Sequence, residues 1–328
     1  MSFIRKLKSY ILKKVQIAGL KILGNIEWVW PKYRIPYTRN INVADNLYFK
    51  NPFMISGTYS YKLLKTIILL NERLNSKTPF SLVRLGDSEM LFLNGKMVGN
   101  IVKRSFLNND ISRYNLEHYR EKTNENDFIC IPDNYSLNRF LSDMKFSKDL
   151  SISTENIYQL IATKIFFNQL KSKKIGIIGA KEKVDIIKSL VKYKKYREYV
   201  NIDNIVEYIG VPQKGASTDH EKTQRMIEDQ MTGDADIYLV GMSVAKLVIQ
   251  PSLRDKYQKS FIDIGVGIDA MAGVIPNSKS YFGNWINFRI KDYDYSNINF
   301  FQYQKYLKKN VENIYTLNEN ERDDKEAN

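Results

Sequence analysis

Ser81-Leu82-Val83-Arg84-Leu85-Gly86-Asp87-Ser88-Glu89 is a β-prone apolar run that ends in a glycine and two carboxylates. Phe80 to Leu85 is apolar apart from Arg84 and reads as a buried strand. Gly86 permits a sharp turn, and Asp87 opens a helix that runs to Leu93. Strand, turn and helix in that order form the repeating unit of an α/β sheet, whose strand ends are where ligands bind. Two carboxylates two residues apart repel each other unless a cation lies between them. A hard divalent ion bridging to phosphates answers that need, so Asp87 and Glu89 are candidate metal ligands. The local alternative makes Asp87 a helix N-cap and Glu89 a first-turn acid favoured by the helix dipole.

Outward from this stretch, helix-period and strand-period segments alternate from about Ser56 onward. Helices are expected at Tyr59 to Leu74, Asp110 to Glu121, Thr154 to Leu170, Lys183 to Tyr196, Asp219 to Gln230 and Ser243 to Tyr257. Strands are expected at Phe128–Ile131, Lys174–Gly179, Ile205–Val211, Asp236–Val240 and Phe261–Ile264, with Pro132 and Pro212 closing two of them. This order argues for an α/β, Rossmann-like, mostly parallel sheet with flanking helices and right-handed crossovers.

The 328 residues carry 50 Lys+Arg against 36 Asp+Glu, a net charge of +14, with apolar content of 43%. That is enough for a substantial core. The positive excess gathers at one end: Arg5, Lys6, Lys8, Lys13, Lys14 and Lys21 all precede the first acid, Glu27. Phe3, Ile4, Leu7, Ile11, Val15, Ala18 and Ile22 recur at helical spacing, which predicts a basic amphipathic helix. No uncharged apolar run approaches the roughly 18 to 20 residues that span a bilayer, and no signal-peptide cleavage site follows. With Trp28 and Trp30 beyond it, the helix suits peripheral contact with an anionic cytoplasmic leaflet; packing on the domain with a solvated lysine face is the alternative. No groove-reading or base-stacking module accompanies the charge, which argues against a nucleic-acid partner.

The expected organisation is a basic membrane-proximal segment over 1–50, a catalytic domain over 51–312 and an acidic disordered tail over 313–328. Cys130, the one cysteine, sits in an apolar run and reads as a core thiol in a reducing compartment. His118 and His220 are too few for a His-rich zinc site.

Other strand ends carry candidate residues. Ile175-Gly176-Ile177-Ile178-Gly179-Ala180 ends in small residues but lacks the full dinucleotide fingerprint. Val240-Gly241-Met242-Ser243 is a strand, a glycine and a helix start, where free N–H groups around Gly241 and Ser243 could hold a phosphate. After Val211-Pro212, Gln213 is available to a base or sugar and Lys214 to a diphosphate. Either loop could equally be a plain turn. In Phe261-Ile262-Asp263-Ile264-Gly265-Val266-Gly267-Ile268-Asp269, an acid inside an apolar strand is costly unless paired. Asp263 is therefore either chemical or a structural acid bonding loop amides, and Asp269 follows two glycines that allow close approach of a ligand.

Taken in order, Arg84-Leu85-Gly86-Asp87-Ser88-Glu89, Pro212 with its polar loop, Asp236 to Leu247 and Ile262-Asp263-Ile264-Gly265 resemble the GT-D-type glycosyltransferases. These are bacterial enzymes with an R-x-G-D-x-E block and a later D-x-x-L-x-x-G-x-x-A-K-x-L…D-I-G block. The resemblance spans roughly Ser56 to Ala272 and is most specific in its first block. It implies a Rossmann-like transferase whose Asp87 and Glu89 hold Mn²⁺ (or Mg²⁺) on the diphosphate of a nucleotide-sugar, UDP-linked by expectation. The family often has a histidine after D-I-G; here that position is Val266.

The expected activity is thus metal-dependent hexosyl transfer to a glycan acceptor, lipid-linked, in surface polysaccharide assembly on the inner face of the cell membrane. The metal would neutralise charge on the leaving diphosphate. Arg84 either supports the D-x-E loop or reaches a phosphate. Asp269 is the expected general base if the enzyme inverts, with Asp263 the second candidate. A metal-dependent phosphodiesterase or phosphotransferase, and a non-catalytic membrane-bound partner subunit, are the competing readings; homo-oligomerisation is left open.

Overall fold

The computed structural model describes residues 57–95, 111–131, 152, 154–162, 165–213, 215–274, 288–291, 293–295, 298 and 315–317. The basic segment ahead of residue 57, with its expected helix, lies outside them, as does Lys214. The strands of the main sheet are β1 (Ser81–Arg84), β2 (Phe128–Cys130), β3 (Ile175–Ala180), β4 (Ile205–Val211), β5 (Ile237–Gly241) and β6 (Ser260–Asp263). Among the described residues the helices are α1 (Gly57–Asn75), α2 (Asp87–Leu93), α3 (Leu116–Glu125), α4 (Thr154–Ala162), α5 (Ile165–Leu170), α6 (Lys181–Leu190), α7 (Lys194–Val200), α8 (His220–Glu228), α9 (Lys246–Tyr257) and α10 (Gly267–Met271).

All six strands join one sheet in the order β2-β1-β6-β5-β3-β4, and every pairing is parallel. With helices on both faces, this is the α/β, Rossmann-like class. The strand sequences read as continuous apolar runs because both faces are covered. Successive side chains go to opposite sides. Ile237 and Leu239 join Val184 and Ile187 of α6 on one face. Tyr238 and Val240 join Ile227 of α8 and Ile249 of α9 on the other, where the Tyr238 and Phe261 rings stack 4.9 Å apart. Each such residue taken fully out of water contributes about 1.5–3 kcal/mol.

Local details depart from sequence expectation at three places. The helix expected from Asp110, itself outside the described residues, is replaced over Ile111–Arg113 by a 3₁₀ turn, and α3 begins after Asn115, whose side chain accepts from the His118 N–H. The helix expected to Tyr196 breaks at Val191 to Tyr193, where Tyr193 turns into the core, and resumes as α7. Order also extends beyond residue 313. Tyr315–Leu317 (β8) pairs in parallel with Phe288–Ile290 (β7), and Leu317 is buried.

Candidate functional site

The carboxyl ends of β1 and β6 lie side by side, and their polar residues meet there. Asp263 is fully buried at the end of β6. Its Oδ1 accepts from the Gly265 N–H at 2.8 Å and from Arg84 Nη2 at 3.3 Å. Oδ2 accepts from the Arg84 N–H at 2.9 Å and contacts Lys246 Nζ at 2.6 Å. Arg84 Nε donates to the Asp263 carbonyl at 2.9 Å, and the guanidinium lies over the Tyr158 ring, 4.3 Å from its centroid. Lys246 is only 2% exposed and also donates to Glu89 Oε1 at 2.9 Å. Glu89 Oε2 accepts from the Gly86 N–H at 3.0 Å, the half of a capping box that a helix-start glutamate supplies.

Two cations and two carboxylates thus close on one another. Burial pushes the Asp263 carboxyl up, but Arg84 and Lys246 outweigh it and hold it below the usual carboxylate range. Burial works against the charge of Lys246, yet Asp263 and Glu89 keep its pKa above the ordinary lysine value. Arg84 is likewise held charged against burial, chiefly by Asp263. Gly265 has φ +47, and a Cβ there would come within 1.8 Å of Arg84 Nη2, so glycine is required for the guanidinium to reach Asp263. Thr154 ties the next helix to the same spot by donating to the Leu85 and Cys130 carbonyls. Cys130 is buried as expected, and burial raises its thiol pKa.

The cation that lies between carboxylates here is the Lys246 ammonium, between Glu89 and Asp263. Both Glu89 oxygens accept within the protein, Oε1 from Lys246 and Oε2 from the Gly86 N–H. Among the described residues no group of three or more His, Cys, Asp or Glu side chains is placed to hold a metal ion. Asp87 is the first residue of α2, with Gly86 rather than Asp87 at the N-cap.

The remaining candidates scatter along the same sheet edge. Asp269 lies on α10 and pairs with Lys183 Nζ at 2.6 Å; at 7% exposure it is buried too, and its ion pair is separate from that of Asp263. Gly241 leaves no room for a ligand where its Cβ would stand: Ile268 Cγ1 is 2.7 Å away and the Gly265 carbonyl 3.0 Å. Ile268 also fills the space beside Gly179, so α10 covers the β3–β5 crevice where the chain direction switches. Ser243 starts a 3₁₀ turn with φ +50 ahead of α9. Gln213 lies just past β4, with both amide atoms buried and unpartnered. The two histidines, far apart in sequence, meet with ring centroids 5.7 Å apart beside Tyr119.

Lys246 and Lys183 are the residues that sequence reading passed over. Lys246 had a signal, a lone lysine inside Val244-Ala245-Lys246-Leu247-Val248-Ile249. Lys183 had none, standing among Lys181, Glu182 and Asp185. Fold and site together define an α/β protein with a closed ionic cluster where β1 meets β6. Comparison with protein-family models, with curated proteins and with solved structures finds no match for this chain.

Proposed function

We propose that this chain is a glycosyltransferase that moves a sugar from a nucleotide-sugar, UDP-linked, to a glycan acceptor. One observation carries the reading. Arg84 and Glu89 of the first motif block and Lys246 and Asp263 of the second, more than 150 residues apart, converge in one cluster at the carboxyl edge of the sheet. A cluster so fully bonded holds its surroundings still, which is what positioning a donor for transfer demands. It fixes the Gly86 turn at which α2 begins, and Asp87, the first residue of α2, is the acid proposed to act on the donor.

In the transfer the acceptor hydroxyl attacks the anomeric carbon, the sugar–phosphate bond breaks and the nucleoside diphosphate leaves. Asp269, held by Lys183, is the residue proposed to take the hydroxyl proton. The lysine-rich stretch from Met1 to Gly24 would bring the enzyme to an anionic inner leaflet, where a lipid-linked acceptor resides. No helix among the described residues is long and apolar enough to cross a membrane.

The test is Asp87→Asn, which removes charge at almost constant volume. With UDP-sugars as donors, and with and without Mn²⁺, the variant should release no UDP while keeping the wild-type thermal midpoint. Undiminished turnover in Asp87→Asn would refute the assignment.

A further inference from the structure

The donor reading above leaves open what holds the base, and on that reading we propose that Gln213 is the residue that recognises it, through a two-point amide–nucleobase pair. Both Gln213 side-chain atoms, Oε1 and Nε2, are shielded from solvent and have no hydrogen-bond partner. Other buried amides differ. Asn156, Gln169 and Gln250 each have a buried oxygen without a hydrogen-bond partner, yet each donates through its nitrogen. Among the described residues Gln213 is the one amide whose oxygen and nitrogen are both shielded from solvent without a hydrogen-bond partner.

A buried donor and acceptor left unmade destabilise a fold, and a ligand that supplies both partners removes that penalty. The edge of a uracil ring places an N–H donor beside a carbonyl acceptor, the complement of a carboxamide. Amide side chains pair with base edges in this two-point way. Position supports the match. Gln213 follows β4 by two residues, at the sheet edge where α/β proteins bind nucleotides.

Four residues further on, the chain meets α3. Ser217 accepts through its carbonyl from Tyr119 Oη at 3.1 Å, and the Tyr119 ring packs 4.9 Å from that of Phe92. Phe92 lies on α2, the helix that Asp87 opens. The loop therefore links the proposed base end of the donor site to its proposed sugar–diphosphate end. β1 and β4 are four strand spacings apart, on the order of 19 Å, a span suited to an extended nucleotide-sugar.

The experiment uses the full chain, with UDP and inorganic pyrophosphate as calorimetric probes, and Gln213→Leu as the variant. UDP affinity should fall about 10-fold or more. Pyrophosphate affinity should not change, because it carries no base. The thermal midpoint of the unliganded variant should hold or rise, since an unpaired buried amide has been removed. Wild-type UDP affinity in Gln213→Leu overturns the proposal while leaving the donor reading intact. A fall in the unliganded midpoint also overturns it, because the amide would then have a partner within the protein. Failure of the wild-type chain to bind UDP at all would instead strike the donor reading and the base assignment with it.

Discussion

Replacing Asp263 with asparagine tests whether the ionic cluster holds the sheet edge together. Four donors converge on the Asp263 carboxylate: the N–H groups of Arg84 and Gly265, Arg84 Nη2 and Lys246 Nζ. An amide can accept at one of those two oxygen positions only. Flipped either way, its NH₂ faces two donors, and Lys246 and Arg84 keep one excess buried positive charge. Removing one partner of a buried pair costs about 3–5 kcal/mol. At 2–4 °C per kcal/mol, the value for somewhat smaller chains, the thermal midpoint should fall by about 6–20 °C. Neutralising Lys246 as well, in Asp263→Asn/Lys246→Met, should cost less than the two single changes added together.

The pH dependence supplies an independent sign. A carboxyl whose folded pKa is depressed contributes stability above its unfolded pKa of about 3.9, and that stability is lost as pH falls through the folded value. The midpoint gap between wild type and Asp263→Asn should therefore be full at neutral pH and close below about pH 4. Thermal unfolding followed by circular dichroism from pH 3 to 8 measures both. A variant within about 1 kcal/mol of wild type at pH 7 would refute the reasoning, because no intact cluster tolerates that loss.

Two further outcomes follow from the geometry. Gly265→Ala combines a φ of +47, costing about 1–2 kcal/mol for a residue with a Cβ, with a Cβ 1.8 Å from Arg84 Nη2. It should destabilise as Asp263→Asn does, and an unchanged midpoint would show that the guanidinium need not occupy this place. Burial first, and the neighbouring His118 second, lower the His220 pKa against the opposing pull of Glu221 and Asp219. Below about pH 6.5 the unfolded chain then binds the proton more readily, so the midpoint should drop between pH 7.5 and 5.5. His220→Gln should flatten that drop, and an equally steep variant would remove His220 as its source.

Much of the fold was legible in the sequence, for a local reason. Ile205–Val211 and Asp87–Leu93 appear where hydrophobic pattern and turn chemistry predict them, because burial of one strand face or one helical stripe leaves a period in the chain. The boundary that moved at Val191 is one where the burial of Tyr193 in the core overrode local preference. In the candidate site the sequence marked Arg84, Glu89 and Asp263 as unusual, since charge in an apolar setting has to be answered by something. It could not say by what. The expectation of a metal between carboxylates came from their spacing along the chain, whereas Lys246 answers Glu89 and Asp263 across 157 and 17 residues. Strand order alone brings β1 beside β6 and the start of α9 over both. By itself, then, the sequence determined the elements, the sheet's class and the residues that need a partner. Only the tertiary structure decided the partners, because ion pairing depends on distances of a few ångströms that no periodicity along the chain encodes.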